Sequence, residues 1–151
     1  MTLIHDFADL MSIRRNGDYA LACDIDCKGH VIDKILNVFS GTLDGNGHAI
    51  KNLVLTANKI LSDGQYVALF HEMCRAKIKN LELKNFVIDV PESVYEPDVA
   101  VLCVDAGESV FENIKVDLSY LGTGQIPLVY QSYRCNFEVI TLSNNMYITN
   151  S

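Results

Sequence analysis

The residues with the clearest chemical potential are His71 and Glu72, in the string His71-Glu72-Met73-Cys74-Arg75. The string begins like the HExxH motif of zinc peptidases, which needs two imidazoles one helical turn apart on one face. Arg75 stands where the second histidine would be, and the segment follows a predicted strand. We therefore do not expect a zinc peptidase.

A second candidate for chemistry is the pair Asp24 and Asp26, which alternate in the string DID and would share one face of a strand. Glycosidases need paired carboxylates in one groove, but a dyad at this place equally suits a turn. The sequence has no GxSxG, P-loop or dinucleotide-binding motif. It predicts no catalytic residue, no cofactor and no metal site.

The acidic residues are concentrated in one third of the chain. From Asn85 to Tyr133 there are eight acidic residues and one basic residue, Lys115, and this segment accounts for the net charge of -7. Such a segment disfavours nucleic-acid binding and permits attraction to a basic surface. The alternative is a solvated acidic face that only keeps the protein soluble.

The segment PESVYEPD, Pro91 to Asp98, is predicted to be a loop with Tyr95 as an aromatic anchor among acids. The alternative is an insertion without a function. The predicted partner-binding residues are Glu92, Tyr95, Glu96, Asp98, Asp105, Glu108, Glu112 and Asp117.

Four similar strings indicate an internal repeat: AIKNLVL, KIKNLEL, VFENIKV and NFEVITL. Their first apolar core positions are Ile50, Ile78, Phe111 and Phe137, at intervals of 28, 33 and 26 residues. Such intervals are typical of solenoids, in which each repeat is a supersecondary unit that packs on its neighbours. A second short strand precedes each string. The repeat predicts asparagines 52, 80 and 113 in one ladder.

The N-terminus is predicted to be helical, with Thr2 as its cap and an apolar side formed by Ile4, Phe7, Leu10 and Met11. We expect a single domain over residues 1–151, with an α-helical cap at 1–17 and β-coils at 18–151. The five cysteines and the lack of a signal peptide or bilayer-spanning run predict a cytoplasmic protein with buried, reduced thiols.

Three strings resemble a known family: YALACDID (Tyr19–Asp26), FSGTLDGNGHAIKNL (Phe39–Leu53), and VALF followed by KIKNL. They are similar to the GLUG-type repeats of right-handed parallel β-helix, pectin-lyase-like proteins, over Tyr19 to about Leu83. The resemblance implies an all-β fold, a small right-handed parallel β-helix. Small solenoids of this size also occur as phage or mobile-element proteins that act by binding.

The hypothesis from the sequence is a binding protein without catalytic activity, whose partner is a basic protein or complex. The hypothesis is that the partner is a bacterial defence or DNA-processing complex. The acidic chain would occupy its nucleic-acid groove by mimicking the charge of nucleic acid, and so inhibit it. We expect no direct contact with nucleic acid or membrane. One alternative is a carbohydrate-binding or polysaccharide-lyase-like module. Another is a structural solenoid that self-associates through its C-terminal edge.

Overall fold

The computed structural model describes residues 1–56, 66–90, 98–122 and 124–148, which form β-strands joined by turns and one short helix, α1 (Phe7–Met11). The strands of the first half are β1 (Thr2–Ile4), β2 (Asp18–Leu21), β3 (Ile25–Asp26), β4 (Val31–Ile32), β5 (Leu36–Phe39), β6 (Thr42–Asp44), β7 (Ala49–Lys51) and β8 (Val54–Thr56). Those of the second half are β9 (Tyr66–Val67), β10 (Phe70–Cys74), β11 (Lys77–Asp89), β12 (Asp98–Val99), β13 (Cys103–Gly107), β14 (Val110–Tyr120), β15 (Ile126–Pro127), β16 (Val129–Tyr133), β17 (Asn136–Thr141) and β18 (Met146–Tyr147).

The strands pair in parallel throughout the described parts of the chain. A ten-stranded sheet follows the path β1-β2-β6-β11-β14-β17, and β3, β4, β7 and β8 join it off this path. A four-stranded sheet has the order β16-β13-β10-β5, and two further pairs are β12-β9 and β15-β18. The predicted all-β class is confirmed, with parallel sheets.

The register of the ten-stranded sheet confirms part of the predicted repeat and corrects the rest. Ile78 lies opposite Phe111, as predicted. The alignment of Ile50 with Ile78 is wrong, because Leu43 lies opposite Ile78 and Ile50 lies opposite Leu83. The dipeptide Lys-Asn occurs twice in β11, and the string around Ile50 is more similar to the first occurrence than to the second. The structure uses the second of them.

Gly45 explains why the turn between β6 and β7 packs against the middle of β11. A Cβ atom at Gly45 would lie 2.6 Å from the Leu81 Cα and would also clash with the Asn80 carbonyl oxygen. A glycine is therefore required for this close backbone approach.

Asparagine side chains connect neighbouring strands where the chain takes a left-handed conformation. Asn113 Nδ2 donates to Asn80 Oδ1 over 3.1 Å, and Asn80 Nδ2 donates to Asp44 Oδ1 over 3.2 Å. Asn80 and Asn113 have φ values of 53° and 51°, which asparagine tolerates better than most residues. The predicted ladder therefore exists for these two residues.

Asn52 belongs to a second ladder, so its predicted place beside Asn80 is wrong. Asn85 Nδ2 donates to Asn52 Oδ1 over 2.7 Å, and Asn52 Nδ2 donates to Asp26 Oδ1 over 2.9 Å. The shift follows from the same change of register that moves Ile50.

The interior is filled by apolar side chains that stack from strand to strand. Phe39 lies between Tyr19 and Phe70, with ring centroids 6.5 and 5.3 Å away. Phe111 and Phe137 stack at 5.0 Å. Such pairs contribute about 0.5 to 1.5 kcal/mol beyond the area that they bury, so the core favours the observed register.

The predicted helical cap at residues 1–17 is not seen. Thr2 does not cap a helix, because Thr2–Ile4 forms β1 and pairs with β2. The helix is limited to Phe7–Met11, and Asp6 caps it by accepting a hydrogen bond from the Asp9 N–H at 2.8 Å. Ile4 is buried as a strand residue, so extension of the sheet outweighs the helical periodicity.

All five cysteines are free thiols. Cys27 and Cys103 are buried, and burial raises the pKa of Cys27 to about 11. The expectation of burial is wrong for Cys23 and Cys74, which are exposed. Within the described residues, no helix has the length and apolarity needed to cross a membrane.

Candidate functional site

The four-stranded sheet carries ionisable groups where its in-out alternation is interrupted. In β10, His71 and Glu72 are both accessible to solvent between the buried Phe70 and Met73. Asp105 in β13 lies directly opposite Glu72. Neighbouring strands are about 4.8 Å apart, so two carboxylates distant in the sequence become neighbours.

A depression of about 510 Å³ lies beside these carboxylates. Glu72, Asp105 and Gln131 line it from three adjacent strands, together with Ser132 and Tyr133. Tyr133 is 59% exposed. The Ser132 hydroxyl oxygen is buried and has no hydrogen-bond partner in the described part of the chain. The depression thus offers carboxylates, an amide and an aromatic ring.

His71 is oriented by a neighbouring aromatic ring. Its imidazole stacks on Tyr66, with ring centroids 3.7 Å apart and 14° between the planes. A ring nitrogen of His71 and carboxylate oxygens of Glu72 and Asp105 all lie within 4.8 Å of one another. A hollow next to the depression is lined by His71, Tyr66 and Lys34.

Asp105 is in an environment that disfavours its charge. Partial burial raises its pKa, the negative charges of Glu72 and Asp98 raise it further, and His71 opposes the shift. The pKa of Tyr130 is also raised, chiefly by the charge of Asp98 and a hydrogen bond to it. Asp98 is therefore part of the same electrostatic neighbourhood as Asp105.

The other predicted site residues lie elsewhere. Glu108 is 3.6 Å from Arg75 in an ion pair. Glu112 lies opposite Lys79 and Glu138 in the ten-stranded sheet.

Asp117 accepts a hydrogen bond from the Asn85 N–H at 3.3 Å. Glu92, Tyr95 and Glu96 lie outside the described residues. Of the predicted contact set, the structure thus brings Asp98 and Asp105 together and distributes Glu108, Glu112 and Asp117 over other positions.

Asp24 and Asp26 hold turns and neighbouring strands. Asp24 Oδ1 accepts from the Ala49 N–H at 3.0 Å and lies 3.4 Å from His48 Nδ1. Asp26 Oδ1 accepts from the Lys28 N–H and from Asn52 Nδ2. These hydrogen bonds lower the pKa of both aspartates.

The prediction from sequence did not include His71, Glu72 or Tyr133. A signal was present in the strings FHEM and CVDA. Each has an acidic residue, Glu72 or Asp105, at the third of its four positions. Only the strand register shows that Glu72 and Asp105 occupy equivalent places.

Comparison with known proteins identifies no relative. No family model matches the chain, and no curated protein or solved structure is significantly similar to it. The site is therefore interpreted from its own geometry.

Proposed function

We propose that the chain is a binding protein that engages a basic protein surface through the outer face of its four-stranded sheet. The observation that carries the proposal is the depression of about 510 Å³ in which Glu72 and Asp105 lie side by side. In the described part of the chain, neither carboxylate has a basic ion-pair partner within 4.0 Å, His71 included. An incoming arginine or lysine would supply that partner.

The fold that we propose for this function is a right-handed parallel β-helix in one domain. Parallel pairing supports it, as do hydrogen bonds between residues 25 to 36 positions apart, for example from the Ala49 N–H to Asp24 and from the Asn80 side chain to Asp44. Recurring intervals of this length are typical of a solenoid. The similarity to GLUG-type repeats remains a hypothesis supported by the strings between Tyr19 and Leu83.

The partner class that best fits is a protein groove that normally binds nucleic acid. Such grooves present rows of arginine and lysine, and acids at a strand spacing of about 4.8 Å would meet several of them. The net charge of -7 favours association with a basic surface over a large distance. We propose that the chain is a phage or mobile-element protein that inhibits a defence complex.

The test is a pull-down from a bacterial lysate in EDTA at about 50 mM and 200 mM salt. We expect one basic complex to be retained at low salt and lost at high salt, because screening weakens contacts between charges. The variant Glu72→Gln/Asp105→Asn should fail to retain it. Equal capture by the variant and the wild type would refute the proposed surface.

A second candidate function is carbohydrate binding, which the placement of the tyrosines favours. Tyr133 lines the depression, and Tyr130 on the same strand is 37% exposed. Aromatic rings beside carboxylates and amides suit a sugar. A glycan array probed with the wild type and with Tyr133→Ala distinguishes the two candidate functions. Carbohydrate binding predicts a signal for the wild type that Tyr133→Ala weakens, whereas binding of a basic protein predicts no glycan signal for either protein.

A further inference from the structure

We propose that His71, Glu72 and Asp105 bind a divalent first-row transition-metal cation. Their donor set is one imidazole nitrogen and two carboxylate oxygens, ligands that such cations accept. These side chains form neither a hydrogen bond nor an ion pair with any group in the described ranges. All three are thus free to act as ligands.

The separation of the donors suits one cation. They lie within 4.8 Å of one another, whereas two ligand atoms of one tetrahedral zinc ion are about 3.3 Å apart. Binding of a cation would require side-chain rotations that bring the donors closer together. Three protein ligands leave further coordination positions, and Glu72 and Asp105 border the depression from which water or a partner would enter.

The supporting structure holds the donors in place. Glu72 and Asp105 lie opposite each other on paired strands, so the backbone fixes their spacing. Stacking on Tyr66 restricts the His71 ring.

Two other histidines provide internal comparisons. His5 lies 3.3 Å from Asp9, and His48 lies 3.4 Å from Asp24. Each is a histidine with one carboxylate, whereas His71 has two. Within the described residues, the His71 group is the one that brings three such donors together. The proposal therefore predicts a preference for His71 over His48 and His5.

The test follows Mn²⁺ added to the metal-free full chain, using paramagnetic broadening of the amide signals in NMR spectra. We expect the signals of β10 and β13 to broaden first. His71→Ala and Asp105→Asn should each weaken Mn²⁺ binding on the order of 10-fold or more, whereas His48→Ala should bind as the wild type does. The spectra also report whether each variant is folded, and Glu72→Gln replaces any variant that is not.

Broadening that begins near His48 or His5, no broadening, or equal affinity of the wild type and the folded variants would overturn the proposal. The experiment contains no partner protein, and the pull-down contains EDTA. If no cation binds, the proposed binding of a basic surface is therefore unaffected. If no basic protein is captured, the proposed cation site is likewise unaffected.

Discussion

The side-chain amide of Asn113 donates a hydrogen bond to Asn80 Oδ1 over 3.1 Å, although the two residues are 33 positions apart. Both have a left-handed backbone, with φ values of 51° and 53°. The same side chain thus satisfies a local backbone requirement and joins adjacent strands.

We expect Asn80→Ala to lower the free energy of unfolding by about 2 to 3 kcal/mol. The change removes two side-chain hydrogen bonds. It also leaves an alanine at positive φ, where its Cβ is unfavourable and no polar side chain compensates. Asn80→Gly should lose less, because glycine tolerates this conformation. Urea unfolding measures the free energy of unfolding of both variants. The control is Asn37→Ala, at an exposed position of β5. Equal stability of Asn80→Ala and wild type would contradict the ladder.

We expect Gly45→Ala to destabilise the fold by about 3 kcal/mol, because its Cβ would clash with the backbone of β11. Gly107→Ala is the matched control, since a Cβ there would meet nothing within 4 Å. Thermal unfolding of the two variants measures the difference. A Gly45→Ala variant as stable as Gly107→Ala would show that the observed register is wrong.

Acid should destabilise the protein partly through Asp24 and Asp26. Their pKa values are lowered in the folded state, so their contribution is present above the ordinary value of 3.8 and is lost as the pH falls through the folded pKa. Asp26→Asn should make the loss of stability between about pH 5 and pH 1 shallower. The urea midpoint measured across this range tests the prediction.

The control for this titration is Asp89→Asn, since Asp89 is exposed at the end of β11. It should keep the acid dependence of the wild type. If Asp26→Asn has that same dependence, the hydrogen bonds of Asp26 do not contribute to acid stability.

The sequence predicted the fold class because the apolar strings and turn residues recur at long intervals. The equivalence of Ile78 and Phe111 was predictable, since each begins a similar string. The place of Ile50 was not, because sequence similarity aligns it with Ile78, whereas in the folded chain the turn at Gly45 packs against Asn80 and Leu81 and Ile50 lies opposite Leu83. The strand at Thr2–Ile4 was missed because pairing with β2 exists only in the folded chain.

Prediction of the candidate site required knowledge of the strand register to a greater degree than prediction of the fold class did. Asp98 and Asp105 were predicted from the local density of acids, and they lie in one electrostatic neighbourhood. Glu72 was dismissed with the incomplete zinc-peptidase motif, which has Arg75 in place of its second histidine, and nothing in the sequence connects Glu72 with Asp105, which lies opposite it in the sheet. Charge density alone did not separate acids near the depression from Glu108, which already pairs with Arg75.

The most direct measurement for the central claim compares two charge-matched variants for affinity to the complex captured in the pull-down. Glu72→Gln/Asp105→Asn removes two acids from the four-stranded sheet, and Glu112→Gln/Glu138→Gln removes two opposed acids from the ten-stranded sheet. We predict that the first variant binds at least about 10-fold more weakly, a change of about 1.4 kcal/mol, while the second remains close to wild type. Equal weakening of both would show an effect of net charge alone and would contradict a binding surface centred on Glu72 and Asp105.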